Sequence, residues 1–410
     1  KFLPKVSIMK KTLIALAAMS AFAAAGTAAA ADVTLYGKAD LGLHYTYNKV
    51  DGQDAVNSFD MKSGQNAGSR FGLKGTEDLG NGTKVGFILE NGFNADDGTM
   101  GQDSRLFGRE ANLFVTGDFG TLSMGRVGAL SSGMGSYNVV YGYAAFGTGW
   151  GDYAGAKSQF NLADRDRMDN TVTYVTPNFA GVKVYAQYSF STKGQETAGN
   201  ERQNQRYAGL GVKYDLGSFS TGLVVDTVLN NYANTNSEDS LGVTWGASYD
   251  FGVAKVYGMA QYGKNENKLG GYSTSLLNDD DGAGNTTKVL SDEGLEGYAL
   301  TLGVTAPVAG GTVFAQANYT DGQTSSDVVV KLTSGSSTSS VNVDADITRW
   351  GVAAGYSYPF SKRTYVYTYA AYNEGKADLT AKLAGKPDTS GSLKVKDKVG
   401  EFGLGLVHSF

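Results

Sequence analysis

Apolar and polar side chains alternate along most of the chain after residue 31. In the segment DVTLYGKADLGLHYTY, apolar residues such as Val33, Leu41 and Leu43 occupy every second position, and polar residues fall between them. The segments GVKVYAQYSF and TRWGVAAGYSY repeat this pattern. A period of two is that of a β-strand with one apolar face, and no helical period is sustained over three turns after residue 31. The pattern predicts an all-β protein.

The segments between the predicted strands are of two kinds, which alternate along the chain. Seven are tight and rich in turn residues, and they lie at 77–82, 117–120, 176–181, 215–218, 250–252, 306–311 and 359–362. Eight are longer and polar, and they are centred near 48–65, 94–104, 128–166, 192–202, 230–238, 264–294, 320–345 and 374–397. Seven tight and eight long connections imply sixteen strands of about ten residues each, with all the tight turns at one end.

A sixteen-stranded sheet with one apolar face needs lipid on that face and closure of its two edges. An open sheet leaves two rows of unpaired backbone groups, for which lipid offers no partners. The final segment, EFGLGLVHSF, alternates strictly and is the expected closing strand. The sequence therefore predicts a transmembrane antiparallel β-barrel with a water-filled lumen. A soluble β-sandwich is the alternative, but a sandwich does not require tight turns and long loops to alternate.

The amino-terminal region has the features of an export signal. Lys10 and Lys11 precede an apolar run over 13–25, and the small residues of 28–30 follow. We expect a signal peptide at 9–30, an upstream artefact at 1–8 and the barrel domain at 31–410, whereas a retained membrane anchor is the alternative. Removal of residues 1–30 takes away four lysines and no acid, which changes the net charge from −5 to −9.

The composition leaves little room for catalysis or for nucleic-acid binding. The chain has no cysteine and only two histidines, His44 and His408, which disfavours thiolate chemistry, catalytic triads and zinc sites. An exported chain with an excess of acidic residues is not expected to bind nucleic acid. The run of Asp279, Asp280 and Asp281 lacks the glutamate spacing of a calcium loop and is interpreted as a solvated loop tip. We expect no enzymatic activity, no cofactor and no bound metal.

Several segments resemble one family throughout the mature chain. ADVTLYGKADLGL, GSRFGLKGTEDLGNGTKVGFILENGF, RLFGREANLFVTGDFGTLSMGR, DNTVTYVTPNFAGVKVYAQYSF and LGLVHSF are similar to the trimeric general diffusion porins of Gram-negative outer membranes. The resemblance implies a 16-stranded barrel in outer-membrane lipid, a homotrimer and a third external loop that folds inward. It also implies that small hydrophilic solutes and ions pass through the barrel.

The last strand resembles the signal that the outer-membrane assembly machinery reads. A short alternating peptide with a terminal aromatic residue is suited to recognition by β-augmentation. Ser409 departs from the basic residue that family members often have there. The predicted signal residues are Phe402, Leu404, Leu406, His408 and Phe410.

The loop over 127–167 is the predicted constriction of the pore. It is long and rich in aromatic residues, so it can fold on itself inside the lumen. Alternation points Arg70, Glu90 and Arg167 inward but leaves the direction of Arg109 open. The resemblance implies one wall formed by Arg70, Arg109 and Arg167, opposed by Glu90 and a loop acid, for which we choose Asp152. Other inward charges are expected to line the lumen, namely Lys38, Asp40, Lys74, Lys183 and Arg349.

Three cations against two acids predict a weak preference for anions, although the chain is acidic overall, because low-dielectric walls focus the field of nearby charges. The alternative is a substrate-selective channel or an adhesin-like barrel. Tyr365, Tyr367 and Tyr369 lie in one row, as the aromatic ladder of a sugar channel would.

Overall fold

A computed structural model describes residues 32–147, 150–155, 165–194, 204–230, 238–273, 279–280, 285–289, 294–325, 328–334, 337–383 and 386–410. The predicted signal peptide, residues 1–8 and Asp281 lie outside the described residues. In the part of the chain that is described, no helix is both long and apolar enough to cross a bilayer.

Sixteen strands form a closed antiparallel barrel, which confirms the predicted fold. They are β1 (Asp32–Val50), β2 (two segments, Val56–Ser63 and Arg70–Gly80), β3 (Thr83–Gly92), β4 (Glu110–Gly117), β5 (Gly120–Gly128), β6 (Arg167–Val175), β7 (Val182–Ser189), β8 (Arg206–Leu216), β9 (Phe219–Leu229), β10 (Ser240–Asp250), β11 (Lys255–Glu266), β12 (Leu295–Val308), β13 (Gly311–Thr324), β14 (Ser337–Pro359), β15 (Thr364–Leu383) and β16 (Lys386–Ser409). Each strand pairs with the next along the chain, and β16 pairs with β1.

The seam between β1 and β16 closes the barrel. Lys38 lies opposite Ser409, and the pairing runs without a register shift to Val50 opposite Asp397. The terminal residue joins this ladder, because Gly37 N donates to Phe410 O at 3.0 Å and Phe410 N donates to Gly37 O at 3.1 Å. Gly37 leaves room for the Phe410 ring, since an added Cβ would lie 2.2 Å from its Cζ atom.

The predicted signal residues of β16 lie on the outer face of the barrel. The exposed side chains alternate with glycine, glutamate and valine residues that face inward, and the exposed row is Phe402, Leu404, Leu406, His408 and Phe410. This orientation follows from the period of two and suits contact with lipid. Recognition of these residues by an assembly machinery remains a prediction.

The seven predicted tight turns are confirmed, but the first predicted long loop is wrong. Only 51–55 separate β1 from β2, and Val56–Ser63 is a strand paired with β1. The irregular part lies later, at 64–69, where β2 is interrupted before it pairs with β1 again from Arg70. The sequence at 56–63 has no continuous apolar face, so alternation did not reveal the strand.

The predicted loops at 320–345 and 374–397 are also largely strand. β14, β15 and β16 contain 23, 20 and 24 residues, about twice the predicted length, and they pair with one another along this extension. In the extension, the apolar residues Val341, Val343 and Ile347 lie on the buried face and polar residues lie on the outer face, so the pattern that lipid imposes is absent there. Shorter strands add to the external region at Lys268–Leu269, Tyr272–Ser273, Asp279–Asp280, Asn285–Val289 and Val328–Ser334.

Two short helical turns complete the described elements. One is a single turn at Gly101–Ser104 in the loop between β3 and β4, in which Gln102, Asp103 and Ser104 have positive φ angles, and the other is a 3₁₀ turn at Tyr141–Tyr143. The second turn lies in the loop between β5 and β6, which is the third long connection of the barrel.

We expect Gly42→Ala to destabilise the barrel at its seam. A Cβ at this position would lie 2.5 Å from Leu404 O and 2.9 Å from Gly405 Cα, so β1 and β16 would have to move apart. The expected loss is about 1–3 kcal/mol of unfolding free energy. The denaturant midpoint of the refolded barrel measures it.

Gly391→Ala is the matched control for Gly42→Ala. Gly391 also lies in β16, but an added Cβ there would meet nothing within 4 Å. Equal midpoints for the two variants would show that the seam tolerates the added methyl group.

Candidate pore constriction

The loop at 129–166, here called the inward loop, folds into the barrel. Val139, Val140 and Tyr143 are at most 3% exposed and belong to one apolar cluster with Tyr185 and Val224 of the wall. Burial of these side chains against the wall removes apolar surface from water and stabilises the folded-in position. The predicted inward fold of the third long loop is therefore confirmed.

Glycines in the wall make room for the first half of the inward loop. An added Cβ at Gly246 would lie 2.6 Å from Tyr143, and one at Gly211 or Gly222 would lie 3.0 Å from a loop side chain. The Tyr143 hydroxyl is 2.9 Å from Ser220 Oγ. Burial raises the pKa of Tyr143 to about 12, so the hydroxyl keeps its proton.

The second half of the inward loop packs on the tyrosine row of β15. The Trp150 ring lies 5.5 Å from the ring of Tyr367 and 6.0 Å from that of Tyr369, both edge to face. Phe314 lies 4.8 Å from Trp150 on another side. Tyr367 and Tyr369 point inward as alternation predicts, but each is only 1% exposed, so they form no ladder for a passing sugar.

Backbone hydrogen bonds fix the tip of the inward loop. Asp152 N and Tyr153 N each donate to the Glu401 carboxylate at 2.9 Å, and Gly151 N donates to Gln65 O at 2.7 Å. Glu401 belongs to β16, and Gln65 belongs to the interruption of β2. The tip is thus attached to two strands on either side of β1.

Asp40 holds the interruption of β2 in place and does not line the water path. Its carboxylate accepts hydrogen bonds at 2.7 Å from Asn66 N, Ala67 N and the Tyr367 hydroxyl. Asp40 is 0% exposed. The prediction that it lines the lumen is wrong because the interruption folds over it, which alternation along one strand cannot indicate.

A buried ionic cluster fixes the base of the inward loop. Arg165, at the end of the loop, contacts Asp226 at 2.5 Å and Glu266 at 2.7 Å, and all three side chains are at most 2% exposed. Ser131, near the start of the loop, donates to the other Asp226 oxygen. Burial alone would lower the pKa of Arg165, but Asp226 and Glu266 raise it above its usual value.

Arg70 of β2, Glu90 of β3 and Arg109, which directly precedes β4, lie close together. Arg109 Nε is 2.6 Å from Glu90 Oε1, and Arg70 Nη1 is 3.8 Å from the same oxygen. The Tyr36 hydroxyl donates to the other Glu90 oxygen at 3.0 Å. Arg109 immediately precedes β4, so strand alternation does not govern its direction, which the contact with Glu90 determines.

Arg167 is a further member of this group, but strand alternation does not explain its position. β6 contains an extra residue at Asn170 (φ 52°), where its register against β5 shifts. The alternation that grouped Arg167 with Thr171 and Thr173 therefore does not hold across this point. Arg167 Nη1 lies 3.7 Å from Asp166 Oδ1 of the inward loop, and Arg167 also interacts electrostatically with Arg109 and Glu90. We call Arg70, Arg109, Arg167 and Glu90 the arginine group.

The acids do not oppose the arginines across the pore as predicted. Glu90 lies among them on the same wall, and Asp152 pairs with Lys62 of β2 at 2.8 Å. The opposed arrangement was implied by the family resemblance, whereas in this chain Glu90 lies on the strand next to that of Arg70 and pairs with Arg109. Lys38 adds a further cation that interacts electrostatically with Arg70 and Arg109.

The remaining predicted lumen residues differ in their surroundings. Lys74 lies over the ring of Tyr36 at 5.1 Å, and Lys183 shares its strand face with Tyr185 of the loop cluster. Arg349 does not line the water path, because it is 7% exposed and pairs with Asp397 at 2.6 Å. Asp397 lies in the long β14–β16 extension, at a position for which the sequence predicted a loop.

The sequence pattern did not identify several residues of the site. Glu110 is 5% exposed and accepts a hydrogen bond from Ser136 of the inward loop at 2.6 Å. Arg126 pairs with Asp169 at 2.6 Å near the base of the same loop. Inward parity could have identified Glu110, whereas the partners of Arg126, Lys62 and Glu401 depend on loop positions that no pattern specifies.

The closed barrel, the inward loop and the basic wall together point to a channel, and sequence comparison agrees. A family model described as Gram-negative porin matches residues 13–378. The chain belongs to the Gram-negative porin family. This porin is 32% identical over 399 residues to an outer membrane porin protein of Bordetella pertussis, which covers 90% of this chain and 96% of the relative.

Two further matches extend along the length of this porin. Outer membrane porin protein 32 of Delftia acidovorans is 29% identical over 411 residues, with 98% and 100% of the two chains covered. The solved structure of an anion-selective porin from Comamonas acidovorans superposes with a TM-score of 0.62 at 25% identity, and the match covers 93% and 100% of the chains. This porin is an outer-membrane protein.

We expect Arg165→Gln to loosen the inward loop and to weaken the barrel. The change leaves the Asp226 and Glu266 carboxylates buried without their cationic partner, which costs about 3–5 kcal/mol. Channel conductance should rise and become noisier as the loop base moves, and the denaturant midpoint should fall. Planar-bilayer recording and denaturant unfolding measure the two effects.

Arg363→Gln is the control, because Arg363 is an exposed residue in a tight turn between β14 and β15. Arg165→Gln combined with Asp226→Asn and Glu266→Gln should recover part of the lost stability. An unchanged conductance and midpoint in Arg165→Gln alone would contradict the anchoring role.

Proposed function

We propose that this porin forms a water-filled pore for passive diffusion of small hydrophilic solutes and ions, with a weak preference for anions. The observation that carries the proposal is the arginine group beside the inward loop. Four cations, Lys38, Arg70, Arg109 and Arg167, interact with three carboxylates, those of Glu90, Glu110 and Asp166, which leaves an excess of one positive charge. The solved porin from Comamonas acidovorans is described as anion-selective, which supports a preference for anions in this porin.

The position of these charges matters more than the total charge of the chain. Salt screens distant loop acids within about 8 Å at physiological ionic strength. A narrow lumen with low-dielectric walls focuses the field of the nearest groups on a passing ion. Lys62 and Asp152 form a pair at the loop tip and cancel to a first approximation.

The buried tyrosine row disfavours a sugar-selective channel. Tyr367 and Tyr369 bond to Asp40 and Gln65 through their hydroxyls and pack against Trp150 through their rings. They have no free face to present to a solute. A pore that selects by charge and size needs no such binding ladder.

Arg109→Ser should shift the reversal potential towards cation preference. A unit charge about 6 Å from a passing ion in water changes its energy by about 0.7 kcal/mol, or roughly threefold in permeability ratio. Arg70→Ser should act in the same direction, and Glu90→Gln should act in the opposite one. Reversal potentials in a salt gradient across a planar bilayer measure the ratio.

Lys382→Ser is the control for charge far from the constriction, because Lys382 lies near the external end of β15 and is half exposed. An equal shift from Lys382→Ser and from Arg109→Ser would contradict the assigned constriction.

We propose that three copies of this porin associate through the outer faces of β1 and β2. In lipid, small residues let backbones approach closely, and Ala39 lies on the outer row of β1, where it pairs with His408 of β16. Light scattering of the detergent-solubilised protein should give three times the mass of one chain. Ala39→Trp should lower that mass, whereas Leu223→Trp on the outer face of β9 should not.

A single-chain mass for the unmodified protein would contradict the trimer. An equal effect of the two tryptophan substitutions would place the contact elsewhere on the barrel.

A further inference from the structure

Three potential metal ligands converge where the tip of the inward loop meets the wall. His44 of β1, Glu401 of β16 and Asp152 of the loop each offer one ligand atom, and these atoms lie within 4.8 Å of one another. His44 Nε2 is 3.2 Å from Glu401 Oε2, and both side chains are 0% exposed. The Asp152 side chain is 46% exposed and faces the water path.

The separations suit a tetrahedral ion. Zinc binds nitrogen and oxygen ligands at about 2.0–2.2 Å, which places the ligand atoms about 3.3 Å apart. His44 and Glu401 already have this separation, so the Asp152 carboxylate needs to move by only about 1.5 Å. The Asp152 side chain is exposed, so it can make this movement once its contact with Lys62 is broken. A fourth ligand would have to be water that enters from the exposed Asp152 side.

The surrounding bonds hold the ligands ready. Glu401 accepts the N–H groups of Asp152 and Tyr153, so the backbone that carries one ligand is bonded to another. Gly151 permits this approach, since an added Cβ would lie 2.5 Å from Glu401 Oε1. Such supporting hydrogen bonds orient carboxylate ligands in metal sites.

Lys62 is the competitor of a bound cation. Its ammonium group lies 2.8 Å from Asp152 Oδ2 and is one-third exposed, so it can return to water when a divalent ion takes its place. Exposed ion pairs of this kind contribute little to stability. With Lys62 displaced, two carboxylates and one imidazole face the ion.

We propose that His44, Asp152 and Glu401 bind a divalent transition-metal ion, for which zinc is the best fit, and that the bound ion ties the inward loop to β1 and β16. An imidazole ligand favours zinc over magnesium, which prefers oxygen ligands in octahedral geometry. The ion adds positive charge beside the lumen and releases Lys62 into it. The pore therefore becomes more selective for anions when zinc is bound.

Metal binding is tested on the folded full-length protein after treatment with a chelator. Isothermal titration with Zn²⁺ should show one site per chain, and titration with Mg²⁺ should show none. His44→Gln should weaken zinc binding by more than about tenfold. His408→Gln removes the only other histidine, which lies on the outer face, and should leave binding unchanged.

Lys62→Gln should change the affinity for zinc in the opposite direction. Removal of the competing ammonium group should tighten zinc binding, which loss of folding cannot imitate. Asp152→Asn changes an exposed side chain and should weaken binding even if His44→Gln fails to fold. The proposal is wrong if the unmodified protein binds no zinc, if His44→Gln and Asp152→Asn bind it normally, or if Lys62→Gln does not bind it more tightly.

The effect on ion selectivity rests on the proposed channel function, whereas zinc binding does not. Micromolar Zn²⁺ should raise the anion preference in bilayer recordings, and a chelator should reverse the change. Stoichiometric binding without any ionic current would contradict the channel function and leave the metal site standing. Current that is unaffected by zinc in a protein that binds it would overturn the proposed effect on the pore.

Discussion

The requirement that every backbone group in lipid has a hydrogen-bond partner governs this structure. An antiparallel sheet meets it only by closing, so the last strand must pair with the first. Closure brings His44 and Glu401, 357 positions apart in the sequence, to within 3.2 Å. Glu401, which accepts hydrogen bonds from the tip of the inward loop, therefore lies at the seam. The position of the constriction depends on the correct register between β1 and β16.

The inward loop is held by different interactions at its two ends. Its base depends on buried charge, with Arg165 between Asp226 and Glu266, and such a cluster is costly to break because its members cannot return to water. Its tip depends on backbone N–H groups and on the packing of Trp150. Wall glycines such as Gly246 let the loop lie close to the strands, because an added Cβ there would meet the Tyr143 ring.

Much of the barrel could be predicted from the sequence, because lipid imposes a period of two and the tight turns carry their own residues. The prediction failed where lipid does not act. The strand at 56–63 has only a short outer apolar row, Phe59 and Met61, and the apolar row of the β14–β16 extension lies on the buried face instead of facing lipid. Arg109 precedes its strand, so alternation does not determine its direction. Asn170 adds a residue to β6, and Asp40 is covered by the interruption of β2. The failures at Arg109 and Asn170 are local, at the start of a strand and at an irregularity within one, whereas the burial of Asp40 depends on contacts between distant segments that alternation within one segment does not record.

The three longest strands give the pore an uneven rim. A strand of 24 residues, such as β16, rises about 60 Å along the barrel axis when tilted by about 40°, roughly twice the thickness of the hydrocarbon layer. The part of β14, β15 and β16 that extends beyond the hydrocarbon layer forms a wall on one side of the opening. A macromolecule that approaches from the outside meets this wall before it meets the pore, and substitutions in the wall leave the charges of the arginine group in place.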